Sequence, residues 1–231
     1  MSDDVLICTD LPARVDEAKL WPRLRVDGRV AEEAAVRDIL RVAMRSAKPK
    51  GMVRRCRVEE RRGESVRISG EVFESRLLSR QFRDVATVYA FVLTGGEELE
   101  EHDPPRDDLM GRFWWDEVKT AVMRQAHLAL QQRMAEAFGT PPDMAFLSPG
   151  SGDVGLWSVE AQKPLLRLLG DVEHAIGVRL TESCCMIPRH TISGFHYPRT
   201  TSFVTCKVCR QSACPDRLAP FEPDLWQTFQ R

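Results

Sequence analysis

Three cysteines in the last part of the chain have the spacing of a metal-binding segment. Cys206 and Cys209 are separated by two residues, and Cys214 follows after four more, directly before a proline. Two cysteines at this separation can reach one ion from a tight turn, and thiolates select zinc or iron–sulfur clusters among the common metals. The spacing predicts an iron–sulfur cluster or a zinc ion, with free thiols or a redox dithiol at Cys206 and Cys209 as the alternatives.

This segment lacks a fourth ligand, and the nearest thiols upstream are those of Cys184 and Cys185. His190 and His196 are the next choices. The chain has seven cysteines, and five of them follow residue 183. An odd, clustered set fits metal ligands in a reducing cytosol better than an extracellular disulfide framework, so we expect a cytoplasmic protein.

Two further segments are rich in residues that allow a ligand to approach the backbone. The first reads Ser-Pro-Gly-Ser-Gly-Asp over residues 148–153, and the second runs from Leu180 to Gly194. Glycine lets the backbone come close to a ligand and can leave N–H groups to bind anions. An ordinary surface turn has the same composition. The phosphate-binding motif Gly-x-x-x-x-Gly-Lys-Ser/Thr and the dinucleotide motif Gly-x-Gly-x-x-Gly are both missing.

No set of residues predicts a catalytic nucleophile. Ser193 stands in Ile-Ser-Gly-Phe rather than in the Gly-x-Ser-x-Gly sequence of the hydrolase elbow. His174 lies in a short helical pattern that ends at Gly177, and we interpret it as an exposed helical histidine. We therefore predict binding residues and no catalytic residue.

The composition argues against nucleic-acid binding and against a membrane-spanning chain. The 231 residues are 43% hydrophobic and 29% charged, with a formal net charge of −1. Nucleic-acid binders need a basic field, and the basic run at residues 48–62 is offset by neighbouring glutamates. No apolar run approaches the ~20 residues that span a bilayer. We expect neither a nucleic acid nor a membrane as partner.

The hydrophobic pattern mixes helices with short strands. Apolar periodicity predicts helices over residues 29–46 and 75–83, and a long one from about Asp108 to Phe138 that Gly139 ends. Residues 85–93 predict a buried strand, and Phe203 and Val204 a short one, while residues 1–20 read as an extended lead-in. Without regular alternation of strand and helix, an α+β fold is favoured over a doubly wound sheet.

From residue 148 to residue 202 the chain resembles the activation domain of vitamin B12-dependent methionine synthase. The residues that carry the resemblance keep their order and gaps: Ser148-Pro149-Gly150, Gln162 with Leu165, Leu166, Leu168 and Leu169, Ile176-Gly177-Val178, Leu180-Thr181-Glu182-Ser183, Met186, Pro188 and Ile192-Ser193-Gly194. A looser likeness to stand-alone versions of that domain extends over the earlier part. We therefore divide the chain into an activation-domain-like domain, residues 1–205, and a cysteine-rich tail, residues 206–231, packed on it.

The resemblance implies a twisted antiparallel sheet with packed helices and a shallow groove for S-adenosylmethionine. It implies accessory reactivation of a corrinoid-dependent methyltransferase: a reductant supplies one electron and S-adenosylmethionine supplies a methyl group, which restores methylcobalamin on oxidised cobalamin carried by a partner. The partners would be that corrinoid protein and an electron donor. The groove residues it implies are Ser148, Pro149, Gly150, Ser151, Gly152, Asp153, Glu182, Met186, Pro188, Ser193 and Gly194.

Three positions depart from the pattern of the family. Phe146 stands where its methionine synthases have arginine, Ser151 replaces an aromatic residue, and Ser202 falls where a tyrosine is expected. These positions favour the alternative, a non-catalytic corrinoid-protein-binding or small-molecule sensor module that keeps the fold without methyl transfer. The cysteine tail is a further addition to the family pattern, and a cluster there could deliver the electron.

Overall fold

A curled antiparallel sheet forms the centre of the computed structural model, which describes residues 4–104, 106–141, 144–151, 156–199 and 202–230. Seven strands make up this sheet: β1 (Val5–Cys8), β2 (Lys50–Arg62), β3 (Ser65–Ile68), β4 (Glu71–Glu74), β5 (Thr87–Thr94), β6 (Met144–Leu147) and β9 (Thr191–Pro198). The helices are α1 (Glu17–Leu24), α2 (Val30–Ser46), α3 (Arg76–Gln81), α4 (Leu109–Phe138), α5 (Gln162–Leu169), α6 (Val172–Ile176) and α7 (Pro223–Gln230). The predicted α+β class with an antiparallel sheet is confirmed.

The strand order brings together segments that are far apart in the sequence. It runs β4-β3-β2-β5-β9-β6, and β1 pairs with β2 beside this path. Tyr89 of β5 lies opposite His196 of β9, and Phe146 of β6 lies opposite the same histidine from the other side. Strand β6 is therefore the edge of the sheet, next to the segment that begins at Ser148.

Strand β5 is buried on both faces, as its uncharged, β-branched sequence predicts. Val88, Ala90 and Val92 belong to the core on one face, which α3, α5 and α6 cover. The alternate residues Tyr89, Phe91 and Leu93 face the core on which α4 packs. The sheet is thus covered by helices on both sides, and α1 and α2 form a further apolar cluster with α4.

Helix α4 confirms the long helix predicted from the sequence, including its ends. The side chain of Asp108 accepts a hydrogen bond from the Gly111 N–H at 2.8 Å, which satisfies a free donor of the first turn. Gly139 ends the helix in the left-handed conformation, with φ of 67°. Trp114 and Trp115 lie on its buried side.

Two sequence expectations were wrong at the level of local structure. Residues 1–20, expected to be extended, contain the first half of α1, whose first turn is capped by Asp16 although Pro22 lies inside the helix. Phe203 and Val204 do not form a strand; the chain there leads into a 3₁₀ helix, Thr205–Val208. Phe203 is buried because its ring packs against Phe229 of α7. Its side chain therefore belongs to the core although the backbone is not part of a strand.

The tail reaches both sides of the molecule. Val208 and Phe229 belong to the same core cluster as the sheet and α5. Between them, Asp216 accepts a hydrogen bond from Arg23 of α1 at 2.8 Å and one from Arg124 of α4 at 2.5 Å. Residues 209–219 therefore pass from the α7 side of the sheet to the side covered by α1 and α4.

Candidate functional site

The Ser-Pro-Gly-Ser segment follows β6 as a closed turn. The Ser151 N–H and hydroxyl both donate to the carbonyl oxygen of Ser148, at 3.2 and 2.9 Å. Gly150 adopts φ of 75°, which favours glycine, and its N–H donates to the carbonyl of Trp157. The N–H groups expected to be open to an anion at these two residues are thus already used. Gly152 and Asp153 lie outside the described residues.

Gly194 lies against the end of β6, beside this turn. A Cβ atom at Gly194 would overlap the carbonyl oxygen of Leu147 and crowd the ring of Phe91. Only glycine lets β9 and the end of β6 approach this closely. Gly194 therefore lies against Leu147, the residue directly before Ser148.

Ser193 points to the other face of the sheet, because side chains alternate along a strand. It is 2% exposed, and its hydroxyl has no hydrogen-bond partner among the described residues. Buried hydroxyl groups are nearly always paired, so this oxygen is available to a water molecule or a ligand. Ser193 cannot, however, line the same surface as Phe146 and His196.

Glu182, Met186 and Pro188 form a second group at a short hairpin. Strands β7 (Arg179–Leu180) and β8 (Met186–Ile187) pair there, with Met186 opposite Leu180 and Glu182 exposed in the turn. Pro188 is buried and follows a cis peptide bond. The predicted groove residues thus lie at two places, the end of β6 and this hairpin, which the first residues of β9 connect.

A polar network holds the hairpin against α4. The backbone N–H groups of Arg189 and His190 both donate to the carboxylate of Glu100, and the Arg189 guanidinium contacts Asp103 at 2.5 Å. Asp103 also accepts from Lys119 at 2.7 Å, and the side chain of Lys119 is completely buried. Burial alone would raise the pKa of Asp103, but the hydrogen bonds and charge of Lys119 lower it below its usual range.

An open groove lies where α1, α4 and the edge strand β6 meet; we call it the edge groove. Its volume is about 440 Å³. It is lined by Asp16, Lys19, Leu20, Ala121, Arg124, Gln125, His127, Leu128, Gln131, Met144, Phe146 and Arg199. The groove residues implied by the resemblance do not line it, although Phe146 is only two positions before Ser148.

Two histidines meet at the inner wall of the edge groove. The Nε2 atoms of His127, on α4, and His196, on β9, are 3.0 Å apart. Phe91 stacks on His127 at a centroid distance of 5.3 Å, and Phe146 packs edge-on against it at 4.8 Å. Burial lowers the pKa of His127 to about 4. Burial and the neighbouring His127 lower the pKa of His196 well below its usual value, so both rings are neutral at pH 7.

No motif in the sequence predicts this pair of histidines. The sequence suggests His196 only as a possible ligand of the cysteine site, and His127 is a single histidine inside a helical pattern with no motif around it. Only the pairing of β9 with β5, below α4, brings the two rings together. By contrast, His174 is exposed on α6, as expected.

The C-terminal cysteines do not assemble around a common point. All seven cysteines are free, and no three His, Cys, Asp or Glu side chains in the described ranges lie close enough to hold a metal ion. Instead, the guanidinium of Arg217 donates to the carbonyl oxygens of Cys206, Cys209, Gln211 and Ala219, at 2.6–3.1 Å. Cys184 and Cys185 lie in the turn between β7 and β8.

The helices and the curled antiparallel sheet form an α+β fold of the kind found in methionine synthase activation domains. The chain matches the crystal structure of the MetH reactivation domain bound to AdoHcy with a TM-score of 0.56, over 87% of this chain and 81% of that one. The two sequences are 16% identical. No family model and no curated protein matches the sequence.

Among the described residues, no helix has the length and apolar character required to cross a membrane. The 30-residue α4 carries charged side chains along its length, including the buried Lys119.

Proposed function

We propose that this chain binds S-adenosylmethionine at the edge of its sheet and assists the reductive methylation of a corrinoid held by a partner protein. The observation that carries the proposal is the match over most of both chains to a reactivation domain that was crystallised with AdoHcy. AdoHcy is what remains of S-adenosylmethionine after its methyl group has left. The ordered residues from Ser148 to Gly194 support the same reading independently.

The edge groove is the part of the molecule best suited to such a ligand. Its volume of about 440 Å³ lies within the ~300–1,000 Å³ range of small-molecule sites. Phe146 is 45% exposed at its wall and offers an apolar surface to a ring. The turn of Ser148–Ser151 begins directly beyond this wall and lies next to Gly194.

Positive side chains in the edge groove can bind a carboxylate. Lys19, Arg124 and Arg199 all line it, and Arg199 directly follows β9. Phe146 carries no charge where the methionine synthases of the family have arginine, so a positive charge for the ligand must come from another residue of the groove. We therefore assign recognition of the ligand carboxylate to Arg199, which lies beside the edge strand.

The role of this chain is to hold the methyl donor and to present it to the partner. When bound, S-adenosylmethionine supplies a methyl group on a sulfonium, and the reductant supplies one electron. Phe146 and the adjacent turn would orient the donor, while the Pro188 hairpin, fixed by Glu100 and Asp103, would keep the surface beside it rigid. No side chain of the chain needs to act as nucleophile or base in this reaction.

The alternative is a binding or sensor module that does not support methyl transfer. Phe146 favours it, because its ring is already engaged with Phe91 and His127. The internal hydrogen bonds of Gly150 and Ser151 favour it as well, since they remove two backbone donors from a ligand.

Calorimetry with S-adenosylmethionine and AdoHcy tests whether the chain binds the methyl donor, as the activator must and the module need not. We expect saturable binding that weakens at least tenfold in Arg199→Gln and is unchanged in Arg179→Gln, an exposed arginine of β7. Repeated null titrations of the folded wild-type chain would favour the module. Methylcobalamin formation, followed by absorbance with a corrinoid protein and a reductant, then tests the activity itself.

The cysteine site remains a separate proposal. Cys206, Cys209 and Cys214 would ligate an iron–sulfur cluster or a zinc ion, with Cys184 or Cys185 completing the set. Binding would require the loop around Arg217 to rearrange, because its carbonyl groups now converge on the guanidinium. Anaerobic purification with metal analysis and a visible spectrum tests it. A colourless, metal-free chain that still folds as Cys209→Ser would rule out both metals.

A further inference from the structure

We propose that His127 and His196 form a two-histidine site for Cu²⁺ or Ni²⁺ at the inner wall of the edge groove. The site lies apart from the cysteine segment and from the residues that the resemblance implies. It does not depend on the proposed function.

The separation of the two nitrogens matches that of imidazole ligands on one ion. Metal–imidazole bonds are about 2.0–2.1 Å long, so two of them at about 90° place their nitrogens about 2.9 Å apart. A tetrahedral angle would give about 3.4 Å with the same bond length. The observed distance between the Nε2 atoms is 3.0 Å. Angles near 90° belong to square-planar and tetragonal sites, which Cu²⁺ and Ni²⁺ prefer with nitrogen and oxygen ligands.

The surrounding rings hold the imidazoles in place. The His196 ring lies 4.3 Å from that of Phe91 by centroid distance, and the side chain of His196 has no solvent exposure. Phe146 packs against the outer side of His127. The two histidines belong to a helix and a strand rather than to loops, and sites on such elements keep their geometry best.

Both rings are available as ligands, because a metal needs the neutral imidazole. Without metal, one Nε2–H donates to the other Nε2. With metal, each Nε2 lone pair binds the ion and displaces a water molecule from it, while each ring keeps its single proton on Nδ1. The exchange requires one tautomer shift and no net loss of protons at neutral pH.

The edge groove supplies the remaining positions and a route for entry. His127 lines the groove, so water or a groove ligand can fill the coordination sites that face it. The charged groups around the groove are Lys19, Arg124 and Arg199 together with Asp16. Lys19 pairs with Asp16, and Arg124 pairs with Asp216. These pairs reduce the repulsion that a divalent ion would meet.

The test titrates the full chain with NiCl₂ by calorimetry and with CuCl₂ by electron paramagnetic resonance. Because thiolates compete for both ions, all proteins carry Cys206→Ser, Cys209→Ser and Cys214→Ser. His127→Gln and His196→Gln remove one ligand each, and His174→Gln removes an exposed histidine of α6 as the matched control. Circular dichroism checks that each variant is folded.

We expect one ion per chain and a Cu²⁺ spectrum with splitting from two nitrogens. Either ligand variant should bind at least tenfold more weakly, and the control should bind as the parent does. If His196→Gln fails to fold, His127→Gln decides the result, since His127 is only partly buried. Absence of saturable binding by the parent, or equal binding by His127→Gln, would overturn the proposal and leave the pair as a hydrogen bond only.

Discussion

The ammonium of Lys119 lies 2.7 Å from the Asp103 carboxylate and 3.2 Å from that of Asp116, in a position where its own side chain is fully buried. Asp103 in turn accepts from the Trp115 indole and contacts Arg189. One buried charge therefore connects the core of α4 with the hairpin that contains Pro188. The hairpin has little regular structure of its own, so this connection fixes its position.

Replacement of Lys119 by Met should destabilise the chain by about 3 kcal/mol, because it leaves Asp103 partly buried without its main partner. Urea unfolding followed by circular dichroism measures the change. Lys163→Met, at an exposed position of α5, should alter the free energy of unfolding by less than about 0.5 kcal/mol. Equal effects of the two substitutions would show that the buried pair does not stabilise the fold.

The histidine pair should make the chain less stable in acid. The unfolded chain binds a proton at each histidine near pH 6.5, whereas folded His127 does so only near pH 4. Between these values the unfolded state holds more protons, so the free energy of unfolding falls as the pH falls. His127 alone contributes about 3 kcal/mol to the loss between pH 7 and pH 4. His127→Gln should flatten the pH profile in urea unfolding, and an unchanged slope would contradict the assignment.

Gly194→Ala should disrupt the junction between β6 and β9, because its Cβ atom would overlap the Leu147 carbonyl. Backbone atoms cannot move aside as a flexible side chain can. We expect a much larger loss of thermal stability than in Gly28→Ala, where the added Cβ meets open space and only the left-handed backbone costs about 1–2 kcal/mol. Similar melting temperatures for the two variants would argue against close packing at Gly194.

Arg217→Lys should loosen the cysteine loop while keeping its charge. The lysine ammonium has fewer N–H donors and is not planar, so it cannot donate hydrogen bonds to all four carbonyl groups as the guanidinium does. Limited proteolysis should therefore cut residues 206–219 faster than in the parent protein, with mass spectrometry locating the cuts. The control Arg179→Lys should leave the rate unchanged, and a protected loop in Arg217→Lys would show that other contacts hold it.

Local signals made α4 and β5 predictable from the sequence. Helix α4 has a capping aspartate, a long apolar periodicity and a terminal glycine, and β5 has a run of uncharged, β-branched and aromatic residues. Strand β6 has only four residues, and its strand character depends on β9, about fifty positions later. Its sequence therefore carries no strong pattern, and the edge of the sheet could not be located beforehand.

The candidate site was also predictable only in part, because it depends on contacts between residues that are far apart in the sequence. The order of motifs from Ser148 to Gly194 indicates the fold, whereas the assignment of these residues to a ligand groove stays a prediction. Alternation along β9 places Ser193 on the face opposite to Gly194 and His196. The order of residues in a motif does not show on which face of the sheet each residue lies. The edge groove depends on α1, and a proline at position 22 argues against a helix in that part of the sequence. The groove also depends on His127, whose partner His196 is 69 residues away in the sequence.

The place of β9 in the sheet has a consequence for how the chain folds during synthesis. Strand β9 lies between β5 and β6, so a nascent chain that ends before residue 191 has β5 with an unpaired edge and β6 without its partner. Arg23 then still lacks Asp216, 193 positions further on. Contacts of such long range slow folding, and exposed strand edges favour aggregation. The ribosome-bound chain should therefore depend on chaperones until residues 191–230 have emerged.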